Sequence, residues 1–385
     1  MLSDRRGLAL VTTLWILAAL VVLAVGVGLM ARTEAQISHN FSGLVQCRWA
    51  ARAAINRALV EIERLKAEPN TYLGETGLTL ESAQDDIDLG DASYQVVIED
   101  EAGGLNINSA GRGMLESLFG SRGAAECIMD WRDQNDQPLP LGAETQHYSG
   151  LPEPYRCKNR PFDTVRELLL VKEIDEELLG SPAGMQGKTL ADLLTVYSHD
   201  EDTSVDGEQR INVQTAGREQ LLRAFRDVLT EEDVDAIISR RNRRSFRSAG
   251  DIIRVRDLGR DKVSRIYDRI TVRSGDRGGA VEGLVNANTA AVEVLAAVPG
   301  MDQSIAREIV EYRQSNGPFE DVGKILDVAG VTDTAFSQAA DNLTVRSRVY
   351  RITATGHLEK SRISSTIVCV VDASDSEAQF RYWRE

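Results

Sequence analysis

The sequence predicts an α+β protein in which one very long N-terminal helix packs on a small antiparallel sheet, and a large all-α insertion interrupts that sheet. Three observations carry the prediction. An uncharged run over residues 8–30 continues without proline into a patterned stretch that reaches Lys66. Strand-forming segments then occur once near residue 95 and again only beyond residue 345. Between them a short asparagine phrase occurs three times, the mark of a repeated structural unit.

Residues 1–7 carry Arg5 and Arg6, and the uncharged run follows. At about 1.5 Å per residue, some 23 residues span a bilayer with a little tilt. The arginines hold the start on the cytoplasmic side, so the bulk of the chain is expected outside the cytoplasm. A secretory signal would end in a small-residue cleavage site; a plain signal anchor is the other reading of the run. From Ala31 to Lys66 there is one glycine, Gly43. Apolar residues at Val45, Trp49, Ala53 or Ile55, Leu59 and Ile62 recur at helical spacing and predict one buried stripe. Pro69 predicts the stop, because the residue before proline is pushed out of the α region. A coiled-coil stalk is the lesser alternative, since no heptad is sustained.

Ser93-Tyr94-Gln95-Val96-Val97-Ile98 reads as a strand, and Val349–Gly356 with Ser361–Val371 as a hairpin rich in Thr, Ile and Val. Some 240 residues separate them, which makes the intervening region an insertion in one sheet.

The inserted region repeats itself. Leu105–Ala110, Ile211–Ala216 and Val285–Ala290 share the pattern apolar-Asn-apolar-Asn/Gln-Ser/Thr-Ala, each followed by a leucine (Leu115, Leu221, Leu295). Each is answered by a second phrase opening on Phe162, Phe246 or Phe319, at separations of 57, 35 and 34 residues. The first copy therefore holds about 22 extra residues. Ser109, Thr215 and Thr289 are placed to cap a first helix, and Asp163, Ser248 and Asp321 a later one. Val298-Pro299-Gly300-Met301 reads as the tight hairpin of the third copy. These units resemble helix-hairpin-helix or SAM-like modules, the third most closely, through its asparagine phrase, Pro-Gly hairpin and Asn316-Gly317-Pro318-Phe319.

The extra residues of the first copy hold Cys127 and Cys157 around a proline-rich loop, and a disulfide between them suits an oxidising compartment. Cys47 and Cys369 are either paired or buried thiols. Asp133, Asn135, Asp136 and Glu144 offer oxygen ligands of the kind calcium takes. The run His199-Asp200-Glu201-Asp202 reads as a solvated link between copies. A net charge of −15 argues against generic nucleic-acid binding, although Arg240–Arg247 contains five arginines that suit a phosphate or an acidic partner. Four scattered histidines, no Gly-x-Ser-x-Gly and no phosphate-binding glycine loop leave no catalytic set.

The leader Arg5-Arg6-Gly7 before an apolar helix resembles that of type IV pilins and type II secretion pseudopilins, which is cut after glycine. By that resemblance a prepilin peptidase cleaves between Gly7 and Leu8, and Leu8 becomes the mature, methylated N-terminus. The fifth mature residue is Thr12 where most of the group has glutamate. That absence, together with the Trp131-Arg132-Asp133…Gly142-Ala143-Glu144…Tyr148 loop, is similar to the minor pseudopilin K family of the general secretion pathway. Leu8 in place of phenylalanine and a third helical module depart from the family. The resemblance implies a pilin-like fold divided as leader 1–7, membrane helix 8–30, its continuation 31–68, first sheet part 69–104, helical modules 105–200, 201–280 and 281–345, and second sheet part 346–385. It also implies a non-catalytic protein of the inner membrane, calcium in the first module, and minor pseudopilins I and J and the inner-membrane platform as partners. The alternative from the helix-hairpin-helix copies is a membrane-anchored DNA-uptake protein.

Overall fold

A computed structural model describes residues 4–67, 73–74, 76–82, 89–183, 187–273, 280–358, 361–375 and 377–385. Helix α1 runs unbroken over Asp4–Ala67, and Pro69 lies outside the described residues. Every residue from Leu10 to Met30 is exposed, and α1 is the one described helix long and apolar enough to cross a membrane.

Beyond the apolar run, α1 packs on a five-stranded antiparallel sheet of β1 (Leu78–Glu81), β2 (Ala92–Asp100), β3 (Val349–Leu358), β4 (Ser364–Asp372) and β5 (Gln379–Arg384), in that spatial order. The segments distant in sequence do share one sheet, with Ile98 opposite Ile352 and Ile352 opposite Cys369. β1 and β5, short edge strands with weak alternation, were not anticipated. Tyr94, Val96 and Ile98 alternate inward on β2 and meet the helix.

The helix stripe differs from the expected one. Ile55 and Ile62 are buried, but Trp49 is 63% exposed, and the contact is made by Cys47, Ala50, Ala51, Ala54 and Ala58. Small residues win because they let helix and sheet approach closely. At Gly356 a β-carbon would overlap the Cys47 carbonyl, so glycine sets the distance between the two layers.

The helical region fills the connection between β2 and β3. Its first copy contributes α2 (Arg112–Phe119) and α3 (Arg122–Arg132). The second gives α4 (Arg218–Ala224), α5 (Glu231–Arg243) and α6 (Arg260–Tyr267). The third gives α7 (Val292–Ala297), α8 (Gln303–Asn316) and α9 (Asp333–Ala339). All three copies share a single hydrophobic core, separate from that between α1 and the sheet. The Val298–Met301 hairpin forms between α7 and α8, with Gly300 at φ +84°, where a β-carbon would meet the Ala335 carbonyl.

Two capping expectations fail in instructive ways. The first helices are capped by Gly111, Gly217 and Ala291 without side-chain bonds; Thr289 instead donates to Asp100 at 2.6 Å. Ser248 and Asp321 do accept from Asp251 N and Lys324 N, but on 3₁₀ turns, and in the first copy Thr164 rather than Asp163 occupies the cap.

The acidic run is not a solvated link. His199–Glu201 pairs antiparallel with Ala280–Glu282. Asp200 is buried, with Arg346 Nη2 at 2.9 Å and Thr344 Oγ1 donating at 2.5 Å. Arg346 also donates to Ser204 O at 2.7 Å and to Glu201 O and Thr203 O at 3.1 Å. A sequence window cannot reveal that a cation 146 residues away turns an acidic run inward.

Arg346→Ala would leave the buried Asp200 with Arg348 Nε, 3.5 Å away, as its remaining cation. A loss of about 3–5 kcal/mol is expected for such a deletion, read as a lower denaturation midpoint. Arg381→Ala, which removes a half-exposed partner of Asp372, is expected to cost under about 1 kcal/mol.

Candidate functional site

The geometry of each copy follows from two asparagine-type amides and one arginine. The first amide, on Asn106, Asn212 or Asn286, accepts from the N–H two residues on, at 2.9 Å in all three copies. The second, on Asn108, Gln214 or Asn288, accepts from the backbone N–H of Phe162, Phe246 or Phe319 at 2.7–3.0 Å. Asn108 and Asn288 also donate back to the same phenylalanine's carbonyl at 3.0 Å. An arginine at the end of the second helix then turns inward onto the phrase. Arg132 donates to Ile107 O and Ala110 O, Arg241 to Val213 O and Ala216 O, and Arg313 to Ala287 O.

These arginines were missed in the sequence as structural residues. A further recurring signal was available: Leu194-Thr195-Val196, Ile270-Thr271-Val272 and Leu343-Thr344-Val345 close each copy. Each forms a two-residue parallel bridge with its opening phrase.

On this frame the first copy builds an acid cluster. Trp131, Tyr148, Tyr155 and Phe162 stack in the core below it, with Trp131 5.2 Å from Tyr148 edge to face. Trp131 Nε1 donates to Glu167 at 3.1 Å, and Tyr155 OH to Leu170 O at 2.8 Å, tying the loop down. One carboxylate oxygen each from Asp130, Asp133 and Glu144 converge within 4.8 Å of one another. Both Glu144 oxygens and Asn159 Oδ1 are buried without a hydrogen-bond partner. Asn159 sits at φ +47° and donates Nδ2 to Asn135 O at 2.8 Å, so its strained backbone holds that orphaned oxygen in place.

Hard dications take six to eight oxygens at roughly 2.3–2.6 Å, and this donor set fits one. Of the expected ligands, Asp133 and Glu144 come together; Asp130, not among them, joins them. Asn135 and Asp136 are turned to the backbone instead, with Asn135 Oδ1 accepting from Gln137 N and Asp136 Oδ1 from Thr145 N.

The bridge expected between Cys127 and Cys157 is not formed. Cys127 Sγ lies 3.5 Å from Leu141 O and Cys157 Sγ 3.8 Å from Asp130 O, and burial pushes both thiols up to about 12. The aromatic core and the Asn108 clamp hold the loop without a covalent link. Cys47 and Cys369 are likewise buried free thiols. At the other end of the chain, Gly7 and Leu8 fall in the first turns of α1, and Thr12 lies on its exposed apolar surface.

The hairpins are closed to phosphate. In the third copy Asp302 Oδ1 already accepts from Ser304 N and Ile305 N at 2.8 and 2.9 Å, the N–H groups a phosphate would take. Arg313 of the same copy is buried and so offers no surface cation.

Comparison with known proteins places two segments. Residues 107–181 match the family described as type II secretion system (T2SS), protein K, and residues 281–344 match the helix-hairpin-helix motif. Among relatives, type II secretion system protein K of Pectobacterium carotovorum subsp. carotovorum is 26% identical over 208 residues, 46% of this chain and 61% of that protein. ComE operon protein 1 of Bacillus subtilis (strain 168) is 35% identical over 75 residues, 18% of this chain and 37% of that protein. The chain thus spans less than two thirds of either relative. A chain of the GspK-GspI-GspJ complex from the enterotoxigenic Escherichia coli type 2 secretion system superposes with a TM-score of 0.51. It covers 92% of this chain and 98% of that chain at 13% identity, a likeness of fold.

Burial raises the Glu144 carboxyl to about 7 and the Asp130 carboxyl to about 6, each further raised by neighbouring acids. Groups that bind protons more tightly folded than unfolded add stability below their folded pKa and lose it as pH rises through it. In chelator, the melting temperature is therefore expected to rise as pH falls from about 7.5 to 5.5, and Glu144→Gln to flatten that slope.

Proposed function

We propose that this chain, with a type II secretion protein K domain carried on a pilin-like stem, is a minor pseudopilin that caps the periplasmic pseudopilus. The observation that carries the reading is where the helical head sits. β2 runs from Ala92, beside the membrane-proximal part of the sheet, to Asp100, and the head follows directly. Leu65 and Lys66, at the far end of α1, line one cavity with Pro318, Phe319 and Glu320 of the third copy. From Met30 to Ala67 the helix rises about 55 Å. The head therefore crowns the end of the stem away from the membrane, where it obstructs any subunit added above it.

Thr12 supports the same position. In related filaments a glutamate there offers a carboxylate to the N-terminal amine of a neighbour, offsetting the cost of burying that charge. A subunit without it fits only where no such pairing is needed, as at the first-assembled end. The protein is then a non-catalytic component with a cytoplasmic N-terminus and a periplasmic head. A prepilin peptidase cuts it between Gly7 and Leu8, and it assembles with pseudopilins I and J. The origin of the fold relative in a complex of K, I and J supports those partners.

Calcium is the cation we assign to Asp130, Asp133 and Glu144, with Asn159 Oδ1 as a neutral donor. It neutralises three converging carboxylates and fixes the loop of the first copy.

The N-terminal reading is tested by intact-mass analysis of protein coexpressed with a prepilin peptidase. Loss of Met1–Gly7 is expected, and an uncut terminus would sink the pseudopilin assignment. With cleavage established, Thr12→Glu is expected to leave copurification with pseudopilins I and J intact. For the cation, calcium is expected to raise the melting temperature at pH near 7.5, and Glu144→Gln to abolish the shift; an unchanged shift in that variant rules out the site.

A further inference from the structure

Arg132, Arg241 and Arg313 occupy equivalent places near the end of the second helix of each copy, because they make equivalent inward bonds. The residues that follow can be compared one by one. After Arg132 come Asp133, Gln134, Asn135 and Asp136; after Arg313 come Gln314, Ser315, Asn316 and Gly317; after Arg241 come Asn242, Arg243, Arg244 and Ser245. The stretch after the inward arginine, which leaves the helix at once in the first copy and after two or three more helical residues in the others, thus carries acids in the first copy, neutral residues in the third and arginines in the second.

Folding does not require arginine there, since the third copy builds the turn from neutral residues. The helix dipole does not require it either, since one arginine per helix end serves the other two copies. Arg243, Arg244 and Arg247 are exposed, and among the described residues none has a carboxylate within ion-pair distance. Arg240 lies 5.4 Å over the Phe246 ring and donates to Arg244 O, which stiffens the turn. The adjacent acid, Asp251, is buried and turned inward to Arg247 N at 3.0 Å and Ser337 Oγ at 3.1 Å, with Arg254 on its rim at 3.6 Å. Several other cations of the same copy are matched: Arg218 with Glu231 and Asp235, Lys262 with Asp233, Arg269 with Asp227.

We propose that the Arg240–Arg247 turn is a docking surface for an acidic polypeptide segment of a partner protein. Guanidinium forks match carboxylates in pairs and hold their charge at any physiological pH. Nucleic acid is the competing polyanion and fits less well. The hairpin that would cradle a phosphate in this copy is closed by the Thr230–Asp233 capping box, with Glu231 and Glu232 beside it.

The test uses the full-length protein in detergent micelles, with fluorescein-labelled poly-glutamate and a mixed-sequence DNA duplex as parallel probes. The wild type is expected to bind poly-glutamate more tightly than DNA, weakening with salt. Arg243→Ala/Arg244→Ala/Arg247→Ala is expected to weaken poly-glutamate binding by at least about tenfold at an unchanged melting temperature. Arg223→Ala/Arg226→Ala, exposed arginines in and just after α4 and outside the turn, is expected to bind as the wild type. No poly-glutamate binding, equal binding by the triple variant, equal loss in the α4 control, or preference for DNA would each overturn the proposal.

Discussion

The structure depends on closing a long insertion between two strands that lie side by side. Asp100, the last residue of β2, is the direct partner of Tyr350 at the start of β3. Neighbouring strands are about 4.8 Å apart, so a region of some 240 residues must leave and return through a gap one strand wide. Asp100 meets this demand by accepting from Asn286 at 2.7 Å and Thr289 at 2.6 Å, both in the third copy, although they lie far along the chain. Glu101 is held by Arg351 at 2.8 Å, and Asp200 by Arg346. The head is therefore bolted to the stem by buried charge, which fixes its direction relative to α1.

Within the head, repetition supplies the frame and variation supplies the chemistry. The amide clamp and the inward arginine are common to all copies, and each unit joins its neighbours in one core. No copy buries its apolar face alone, so a shared core is the physical reason for having several. The turn after the inward arginine carries no part of that load. It is free to hold carboxylates in the first copy and guanidinium groups in the second.

The acid cluster shows the cost of such freedom. Glu144 is buried with both oxygens unpartnered, an arrangement that weakens the fold unless a proton or a cation neutralises it. A dication bound there, as proposed, would relieve that repulsion as well as be coordinated.

Local pattern alone determined much of this protein. The membrane-length run, the unbroken helix beyond it, the split sheet and the threefold repeat are periodic or compositional features, and Tyr94, Val96 and Ile98 had only one face on which to alternate. The Pro-Gly hairpin and the region of the acid cluster were legible for the same reason. What only the tertiary structure decided depends on partners distant in sequence. Asp200 looked solvated because Arg346 lies far along the chain; Trp49 looked buried because the glycine facing Cys47 lies on β3. Asp130 joined the cluster, and Asp136 fell outside it, because the path of the folded loop and not the sequence spacing decides which carboxylates converge. Nothing local marks Arg132, Arg241 and Arg313 as inward-facing, and only the three folded copies showed each one spent on carbonyl oxygens. A sequence states which groups are available, and only the fold decides which of them are left without a partner.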